Sequence, residues 1–308
     1  MDEISEKRLK NYHKIYEQIY EDPFVSVADA AENTGLSRST VSGYLQEMYT
    51  YNILTGPSLC MKPHSNYTEY VYLLKFTDPF TVFDGLKEFP CVISRLTTTG
   101  DWNTLLVTNK LLNFSVLKHF RTIVDVNPRG VSRTPKVERT TWDGAFALTD
   151  ELDTSESNYK TLRTSLNWGS NEWKLFHALK SNLRVKITPL LRKIGIRYEI
   201  YKQWKEELSD HCTIHTGFYP EGYKTYMVYC FLFSTPHKKS VESLFHLFPA
   251  TSFLTDVGDH LLVFANVPIS EMSRKLFCTI YTMQAKEVIT EFFQSMVLFY
   301  NQRKEVTL

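Results

Sequence analysis

The chain has 308 residues, of which 43% are hydrophobic and 14% aromatic, enough to build sizeable cores in about two domains. Lys and Arg number 35 and Asp and Glu 34, so the formal net charge is +1 and no global positive field attracts nucleic acid or an anionic membrane. Gly and Pro number only 12 each, which excludes collagen-like and low-complexity classes.

The cysteines and the N-terminal segment indicate the compartment. The five cysteines are scattered, and no two have CxxC spacing, which argues against a disulfide framework and a zinc ribbon. The N-terminal segment is charged, and no run approaches about 18 apolar residues, so we expect neither a signal peptide nor a membrane span. The sequence therefore predicts a soluble cytoplasmic protein with no membrane partner.

An internal repeat divides the chain into two halves. Gly35 corresponds to Gly195 at a shift of 160 residues, and the Gly-Asp pair at Gly100 recurs at Gly258. Further matches in the same order are Tyr44 with Trp204, 70–76 with 226–233, and Phe89-Pro90 with Phe248-Pro249. This order predicts a tandem duplication with diverged halves.

The first 62 residues predict three helices. Tyr12 and Ile19 fall on one face of the first helix, and Ser26 is typical of the cap that opens the second. Gly35 ends that helix, and Ser37 is typical of the cap of the third. Two helices joined by a short turn around a glycine are the helix-turn-helix arrangement.

The rest of each half predicts alternating strands and helices. In the first half we expect strands at 67–76, 91–98, 105–108 and 131–142, with helices at 80–89 and through 112–124. In the second half we expect strands near 224–233, 250–257, 260–267 and 286–300, with helices near 237–247 and 269–283. Both orders are βαββαβ, the ferredoxin-like arrangement.

The predicted fold class is therefore α+β, with two winged or trihelical helix-turn-helix domains, each followed by a ferredoxin-like domain. Residues 144–170 are rich in acidic, Ser, Thr and Asn residues, including Asp150, Glu151, Asp153 and Glu156, and are predicted to be a linker. The predicted bounds are 1–62 and 63–143 for the first helix-turn-helix and ferredoxin-like domains, and 171–222 and 223–308 for the second pair.

A helix-turn-helix followed by a βαββαβ unit with a Gly-Asp hairpin resembles the Lrp/AsnC (feast/famine) family of transcriptional regulators. The helix-turn-helix pattern is carried by Gly35, Leu36, Ser37, Val41 and Leu45. The resemblance implies double-stranded DNA as partner, a RAM domain that binds a small-molecule effector, and a chain that is itself a covalently joined dimer. Two such chains are expected to associate as a homo-oligomer.

The recognition helices supply the predicted DNA-binding residues. An arginine and a glutamine on an exposed helix face favour guanine and adenine, and small residues allow close approach to the phosphates. The candidates are Ser37, Arg38, Ser39, Thr40, Ser42 and Gln46 in the first half, with Arg197, Tyr198, Lys202 and Lys205 in the second. Charge limits this interpretation, because residues 1–62 hold 6 basic and 9 acidic side chains, and a trihelical unit that binds nothing is the alternative.

The hairpins supply the effector candidates by resemblance to the RAM hairpin. These candidates are Gly100, Asp101, Asn103, Gly258 and Asp259. From the residues alone, an Asp beside a hairpin glycine is typical of a turn in which the side chain satisfies its own backbone.

Enzymatic chemistry has little support in the sequence. No phosphate loop, GxSxG or HExxH motif is present, and we predict no catalytic residue, metal or cofactor. Some RAM-type proteins that resemble Lrp/AsnC regulators are siroheme decarboxylases built from unlike halves, but residues 57–67 offer only Lys62 and His64 where those enzymes are rich in Arg and His. His211 and His215 are interpreted as surface or wing histidines. The sequence favours a DNA-binding regulator that is not an enzyme, with two alternatives: a siroheme-decarboxylase-like enzyme, and an effector-sensing module without DNA contact.

Overall fold

The computed structural model describes residues 5–149 and 164–302, so the four acidic residues of the predicted linker lie outside the described residues. Its helices are Glu6–Glu21 (α1), Val27–Thr34 (α2), Arg38–Thr50 (α3), Pro79–Gly85 (α4), Trp142–Ala147 (α5), Ser170–Leu179 (α6), Ile187–Ile194 (α7), Tyr198–His211 (α8), Lys238–His246 (α9) and Glu271–Ala285 (α10). Its strands are Leu54–Met61 (β1), Tyr70–Phe76 (β2), Val92–Gly100 (β3), Thr104–Thr108 (β4), Phe120–Arg133 (β5), Cys212–Phe218 (β6), Tyr226–Ser234 (β7), Phe253–Val257 (β8), His260–Pro268 (β9) and Glu291–Gln302 (β10).

Helices α1–α3 form the first head, and the local signals for it are confirmed. The hydroxyl of Ser26 accepts a hydrogen bond from the amide of Asp29 at 3.1 Å, and Ser37 caps α3 through the amide of Thr40 at 3.1 Å. Gly35 ends α2 with a φ of 69°, in the left-handed region that favours glycine. The core of this head buries Tyr12, Ile15, Tyr16, Ile19, Val41, Leu45 and Met48.

Helices α6–α8 form the second head, which repeats this geometry with a different core. Gly195 ends α7 with a φ of 70°, as Gly35 does in the first head. Leu175, Trp204 and Leu208 are buried between the three helices. The two heads also touch, because Arg184 donates to the carbonyl of Val25 at 2.9 Å.

A two-stranded antiparallel ribbon, β1 with β6, joins the heads. Ser58 lies opposite His215, and Met61 lies opposite Cys212. Each strand packs on the other half's helices: Met61 belongs to the core of the second head, and Phe218 to that of the first. The heads are therefore held together by apolar burial as well as by strand pairing.

The other eight strands close a single barrel in the order β10-β3-β4-β2-β5-β8-β9-β7. Strand β5 pairs with β8, where Arg129 lies opposite Val257, and β10 pairs with β3, where Ser295 lies opposite Gly100. The prediction of separate ferredoxin-like domains is therefore corrected: this is a mixed α/β protein with an N-terminal helix-turn-helix and one barrel. A four-stranded open sheet leaves two edges of unpaired backbone groups, and here each edge pairs with the other half.

The two faces of the barrel wall bury different residues. Along β7, Phe231 and Phe233 pack outward under α9 and α10, whereas Cys230 and Leu232 face the interior with Leu105 of the first half. This alternation is the period-two pattern of a strand that is covered on both sides. The barrel interior is therefore lined by both halves.

One predicted helix is wrong. Residues 112–124 do not form a helix. Phe114–Val116 is a short 3-10 turn, and β5 runs from Phe120 to Arg133, so it begins well before the strand predicted at 131–142 and overlaps it only at 131–133. The apolar residues of this segment have helical spacing, but strand pairing with β2 decides its structure. In that pairing Val126 lies opposite Tyr72. The β-branched residues of 122–126 suit that pairing.

In the described ranges, no helix has the length and apolarity that crossing a membrane requires.

Candidate ligand cavity in the barrel

The interior of the barrel is not completely filled, and a cavity of about 340 Å³ lies beneath the β1–β6 ribbon. This volume falls within the roughly 300–1,000 Å³ that is typical of small-molecule sites, and eight-stranded barrels commonly hold one small ligand. The residues that line it are Thr55, Ser58, Leu59, Cys60, Glu69, Val71, Ile93, Ser94, Leu96, Leu105, Val107, Arg129, Thr134, His215, Gly217, Tyr219, Tyr223, Val228, Thr251, Phe253, Thr255, Leu262, Phe264, Asn266, Val297, Tyr300 and Gln302.

The floor of the cavity is apolar and comes from the barrel strands. Val71, Leu105 and Leu262 are at most 1% exposed and belong to the interior core. Half-buried Val107 and Val297 extend this apolar surface. The floor therefore suits the apolar body of a ligand.

A buried ion pair lies among the polar groups. Arg129 extends from β5, and its Nη2 is 2.6 Å from Oε2 of Glu69; both side chains are less than one-tenth exposed. The guanidinium also donates to Ser132 Oγ at 2.7 Å, to the carbonyl of Met61 at 2.9 Å and to Cys60 Sγ. Burial lowers the pKa of Arg129, but its interactions with Cys60 and Glu69 outweigh burial and keep that pKa above its ordinary value, so Arg129 is a permanent cation.

One hydrogen-bond donor of Arg129 has no acceptor among the described residues. Arg129 Nε is buried and has no hydrogen-bond partner among the described residues, although both terminal nitrogens are engaged. Asn266 Oδ1 is likewise buried without a partner, while its amide nitrogen donates to the carbonyl of Thr251 at 2.8 Å. Buried polar groups are rarely left unpaired, so these two atoms indicate hydrogen bonds that a ligand or water would complete.

His215 enters the cavity from β6. Its Nε2 lies 3.1 Å from Thr213 Oγ1, its Nδ1 is hydrogen-bonded to Thr134 Oγ1, and its ring packs edge-on against Phe253 with centroids 4.8 Å apart. Burial, together with the positive charge of Arg129, lowers the pKa of His215 to about 3. The imidazole is therefore neutral near pH 7, and the interpretation as a surface histidine is corrected.

Three tyrosines complete the polar side. Tyr219 is buried, which raises the pKa of its phenol, whereas Tyr223 and Tyr300 line the cavity with 39% and 58% of their surface exposed. Tyr219 and Tyr223 pack edge-on with centroids 4.9 Å apart. The cavity therefore offers one ion pair, several neutral proton-bearing groups and a large apolar surface.

The sequence-predicted residues of the first recognition helix share a surface. Arg38, Ser39, Ser42 and Gln46 are exposed on α3. Ser37 contacts Thr40 and Ser39 through its hydroxyl at 2.7 and 2.9 Å. The structure therefore brings this group together, on the opposite side of α3 from its buried face.

The candidates on the second recognition helix have other partners within the chain. Lys205 lies over the ring of Phe24 at 4.1 Å, and Lys202 is 4.0 Å from Glu206. Arg197 and Tyr198 are exposed at the start of α8.

The hairpin candidates are not brought together in the cavity, because none of the five lines it. Asp101 Oδ2 accepts from the amide of Gln294 at 2.8 Å, and Asn103 bonds the backbone of Phe76 at 2.9 and 2.7 Å. Gly258 has a φ of 56° in the turn between β8 and β9, and Asp259 follows it. These contacts make the first hairpin a structural seam between β3 and β10.

Sequence reasoning missed the residues that line the cavity. Glu69, Arg129 and His215 lie far apart in the chain and carry no motif. The one available signal was the charged residue Glu69 directly before an apolar strand, since a charge is buried only where it is paired. Within the described ranges, no cluster of three or more His, Cys, Asp or Glu side chains is arranged to hold a metal ion.

Comparison with known proteins identifies the first head. The family model of winged helix-turn-helix DNA-binding domains matches residues 10–49. The first head is a winged helix-turn-helix unit. No curated protein matches the chain by sequence.

One solved structure shares the fold of nearly the whole chain. The siroheme decarboxylase NirDL aligns over 97% of this chain and 93% of its own, with a TM-score of 0.50 and 10% sequence identity. Its complex with an iron-uroporphyrin III analogue aligns over 96% and 93%, with a TM-score of 0.49 and 10% identity. An AsnC family transcriptional regulator from Agrobacterium tumefaciens aligns over 39% of this chain and 86% of its own, with a TM-score of 0.25 and 18% identity.

These comparisons contradict the prediction of a DNA-binding transcriptional regulator that is not an enzyme. The fold that covers nearly the whole chain is shared with a siroheme decarboxylase. The helix-turn-helix is present, but it does not establish regulation of transcription. At this level of identity, the likeness concerns the fold.

Proposed function

We propose that this chain is an enzyme that binds a tetrapyrrole in the barrel cavity and removes a carboxylate group from it. The observation that carries the proposal is the buried Arg129, which has an unpartnered N–H and lines a cavity with a large apolar surface. A guanidinium is the side chain best suited to hold a carboxylate, and the apolar floor suits a flat macrocycle. The fold shared with a siroheme decarboxylase agrees with this assignment.

The cavity groups fit the proton balance of such a reaction. The bond between the side-chain carbon and the carboxylate breaks, CO₂ leaves, and the carbon keeps the electron pair and accepts one proton. Arg129 would orient the carboxylate, and a phenol of Tyr219, Tyr223 or Tyr300 would supply the proton and recover it from solvent. His215 is neutral and would contribute a hydrogen bond rather than a charge.

Anaerobic titration of the purified chain with siroheme, iron uroporphyrin III and iron coproporphyrin III tests the proposal. We expect a saturable shift of the tetrapyrrole absorption with at least one of them, and loss of the mass of CO₂ on incubation. Val107→Phe places a larger side chain in the cavity wall and should weaken the shift, whereas Val116→Phe at an exposed position should preserve it. Absence of a saturable shift with all three would overturn the proposal.

We also propose that the two halves arose by duplication of a unit related to the Lrp/AsnC type. Strand order supports this: β10-β7-β9-β8 in the second half and β5-β2-β4-β3 in the first place equivalent strands in the same sequence. The left-handed glycines Gly35 and Gly195 occupy equivalent helix ends. Association of two such chains stays a prediction.

A further inference from the structure

The barrel cavity carries almost no net charge. Glu69 and Arg129 neutralise each other at 2.6 Å, and Glu69 Oε1 accepts a further hydrogen bond from Tyr67 at 3.0 Å. Among the cavity residues that the structure describes, Arg129 is the only lysine or arginine. His215 adds no charge near pH 7, because burial lowers its pKa to about 3.

A smaller pocket of about 40 Å³ adjoins the cavity and shares Cys60, Glu69 and Arg129 with it. It adds the buried Lys180 at its own wall. Trp173 and Phe176 of α6 also line this pocket, so it lies where the barrel meets the second head. Val71, Leu105 and Leu262 give the cavity itself a large apolar surface.

The scarcity of positive charge in the cavity discriminates between tetrapyrroles, because Arg129, the one Lys or Arg among the described lining residues, is already paired with Glu69. Uroporphyrins carry eight carboxylates spaced around the whole macrocycle, so burial would place several of them against the apolar floor. An unpaired buried carboxylate loses its hydration without compensation, at a cost of several kcal/mol. A ligand with one carboxylate directed at Arg129 and an apolar opposite edge avoids that cost.

We infer that the cavity selects a tetrapyrrole with few carboxylates, bound with one carboxylate at Arg129 and its apolar edge on the barrel floor. This inference rests on the proposed function and names its substrate class. The unpartnered Arg129 Nε supplies a donor for that carboxylate, beyond those already engaged by Glu69.

Three iron porphyrins that differ in carboxylate number test the inference: iron uroporphyrin III with eight, iron coproporphyrin III with four and iron protoporphyrin IX with two. The absorption titration gives the affinities, and each is compared with that of Val107→Phe, whose narrower cavity should bind every porphyrin more weakly. We expect the dissociation constant to fall by about tenfold or more from eight carboxylates to two, equivalent to about 1.4 kcal/mol per tenfold.

A charge variant sharpens the test. Glu69→Gln removes the counter-ion and leaves the charge of Arg129 unneutralised. The measured quantity is the ratio of the affinity for iron coproporphyrin III to the affinity for its neutral methyl ester. We expect this ratio to rise by about tenfold in Glu69→Gln. Glu291→Gln removes an exposed acid that does not line the cavity, and it should leave that ratio unchanged.

The outcomes separate the two claims. Binding no tighter than in Val107→Phe for every porphyrin would overturn the proposed function together with the inference. Cavity-dependent binding that is strongest for the eight-carboxylate porphyrin, or a Glu69→Gln variant with an unchanged ratio, would overturn the inference alone.

Discussion

At the scale of single residues, burial changes the role of groups that are ordinary in the sequence. Arg129 belongs to a basic stretch that includes Arg133, Lys136 and Arg139, yet it is buried in the barrel. The other three pair with acids of distant elements: Arg133 with Asp256 at 2.7 Å, Lys136 with Glu21 at 3.0 Å and Arg139 with Glu6 at 2.7 Å. The stretch therefore ties elements together and is not a free basic surface.

Removing one partner of the buried pair should destabilise the protein strongly. Arg129→Met leaves Glu69 charged and unpaired in the barrel, and we expect a loss of roughly 3–5 kcal/mol in the free energy of unfolding. Urea denaturation measures it. The double variant Arg129→Met with Glu69→Leu should recover much of the loss, and its failure to do so would contradict this account.

The exposed pair of Arg139 with Glu6 is the matched control. These side chains are 49% and 87% exposed, so solvent screens the attraction. Arg139→Met should cost less than about 1 kcal/mol.

His215 should give the protein a specific pH dependence. Its pKa is about 3 in the folded state and near 6.5 when unfolded, so between these values the unfolded state binds more protons. The stability from neutral His215 is thus fully present above about pH 6.5 and is lost as the pH falls toward 3. Urea midpoints at pH 7 and pH 4.5 should differ less in His215→Gln than in the natural chain; equal differences would refute the assignment.

At the scale of elements, each half repeats a set of helices and strands but covers its sheet differently. The second half has α9 and α10 against β7 and β9, whereas the first has α4 and a single 3-10 turn against β2. The missing helix leaves Val116 at 77% and Ile123 at 44% exposure. The halves have therefore diverged most on the outside of the barrel.

Gly100, in the hairpin between β3 and β4, should be much more sensitive to substitution than Gly35. At Gly100, with a φ of 141°, an added Cβ would lie 2.5 Å from the carbonyl oxygen of Gln294 and 2.8 Å from Ser295 Cα, both backbone atoms of β10. At Gly35 nothing lies within 4 Å, so Gly35→Ala should cost only about 1–2 kcal/mol from its left-handed backbone. Thermal melts should show Gly100→Ala clearly less stable than Gly35→Ala; the reverse order would be inconsistent with a packed seam.

At the scale of the whole molecule, closure of the barrel makes the two halves one structure. The β5–β8 and β10–β3 pairings join them around the barrel, and the β1–β6 ribbon joins them at the heads. The cavity takes Glu69 and Arg129 from the first half and His215 from the second. Neither half holds the site alone.

Expressing the halves as separate chains tests this dependence. Each alone would expose two sheet edges and half of an apolar interior, so we expect residues 1–156 and 157–308 to be insoluble separately and to co-purify when co-expressed. Size-exclusion chromatography distinguishes the cases. A well-folded, monomeric first half would show that the barrel is not required.

The sequence by itself determined the local features. The head helices, their Ser26 and Ser37 caps and the glycine ends at Gly35 and Gly195 depend on residues within a few positions of each other, so their patterns are legible in the chain. Most strands of the second half were also predicted near their observed positions, because their alternation is strong.

Tertiary structure alone decided the barrel and its site. Pairing of β5 with β8 depends on two edges more than 100 residues apart, and no local pattern marks which edge will meet which. The same contacts converted residues 120–124 from an apparent helix into a strand. Arg129, Glu69 and His215 become a site only when that closure removes water from them, since burial sets their pairing and protonation.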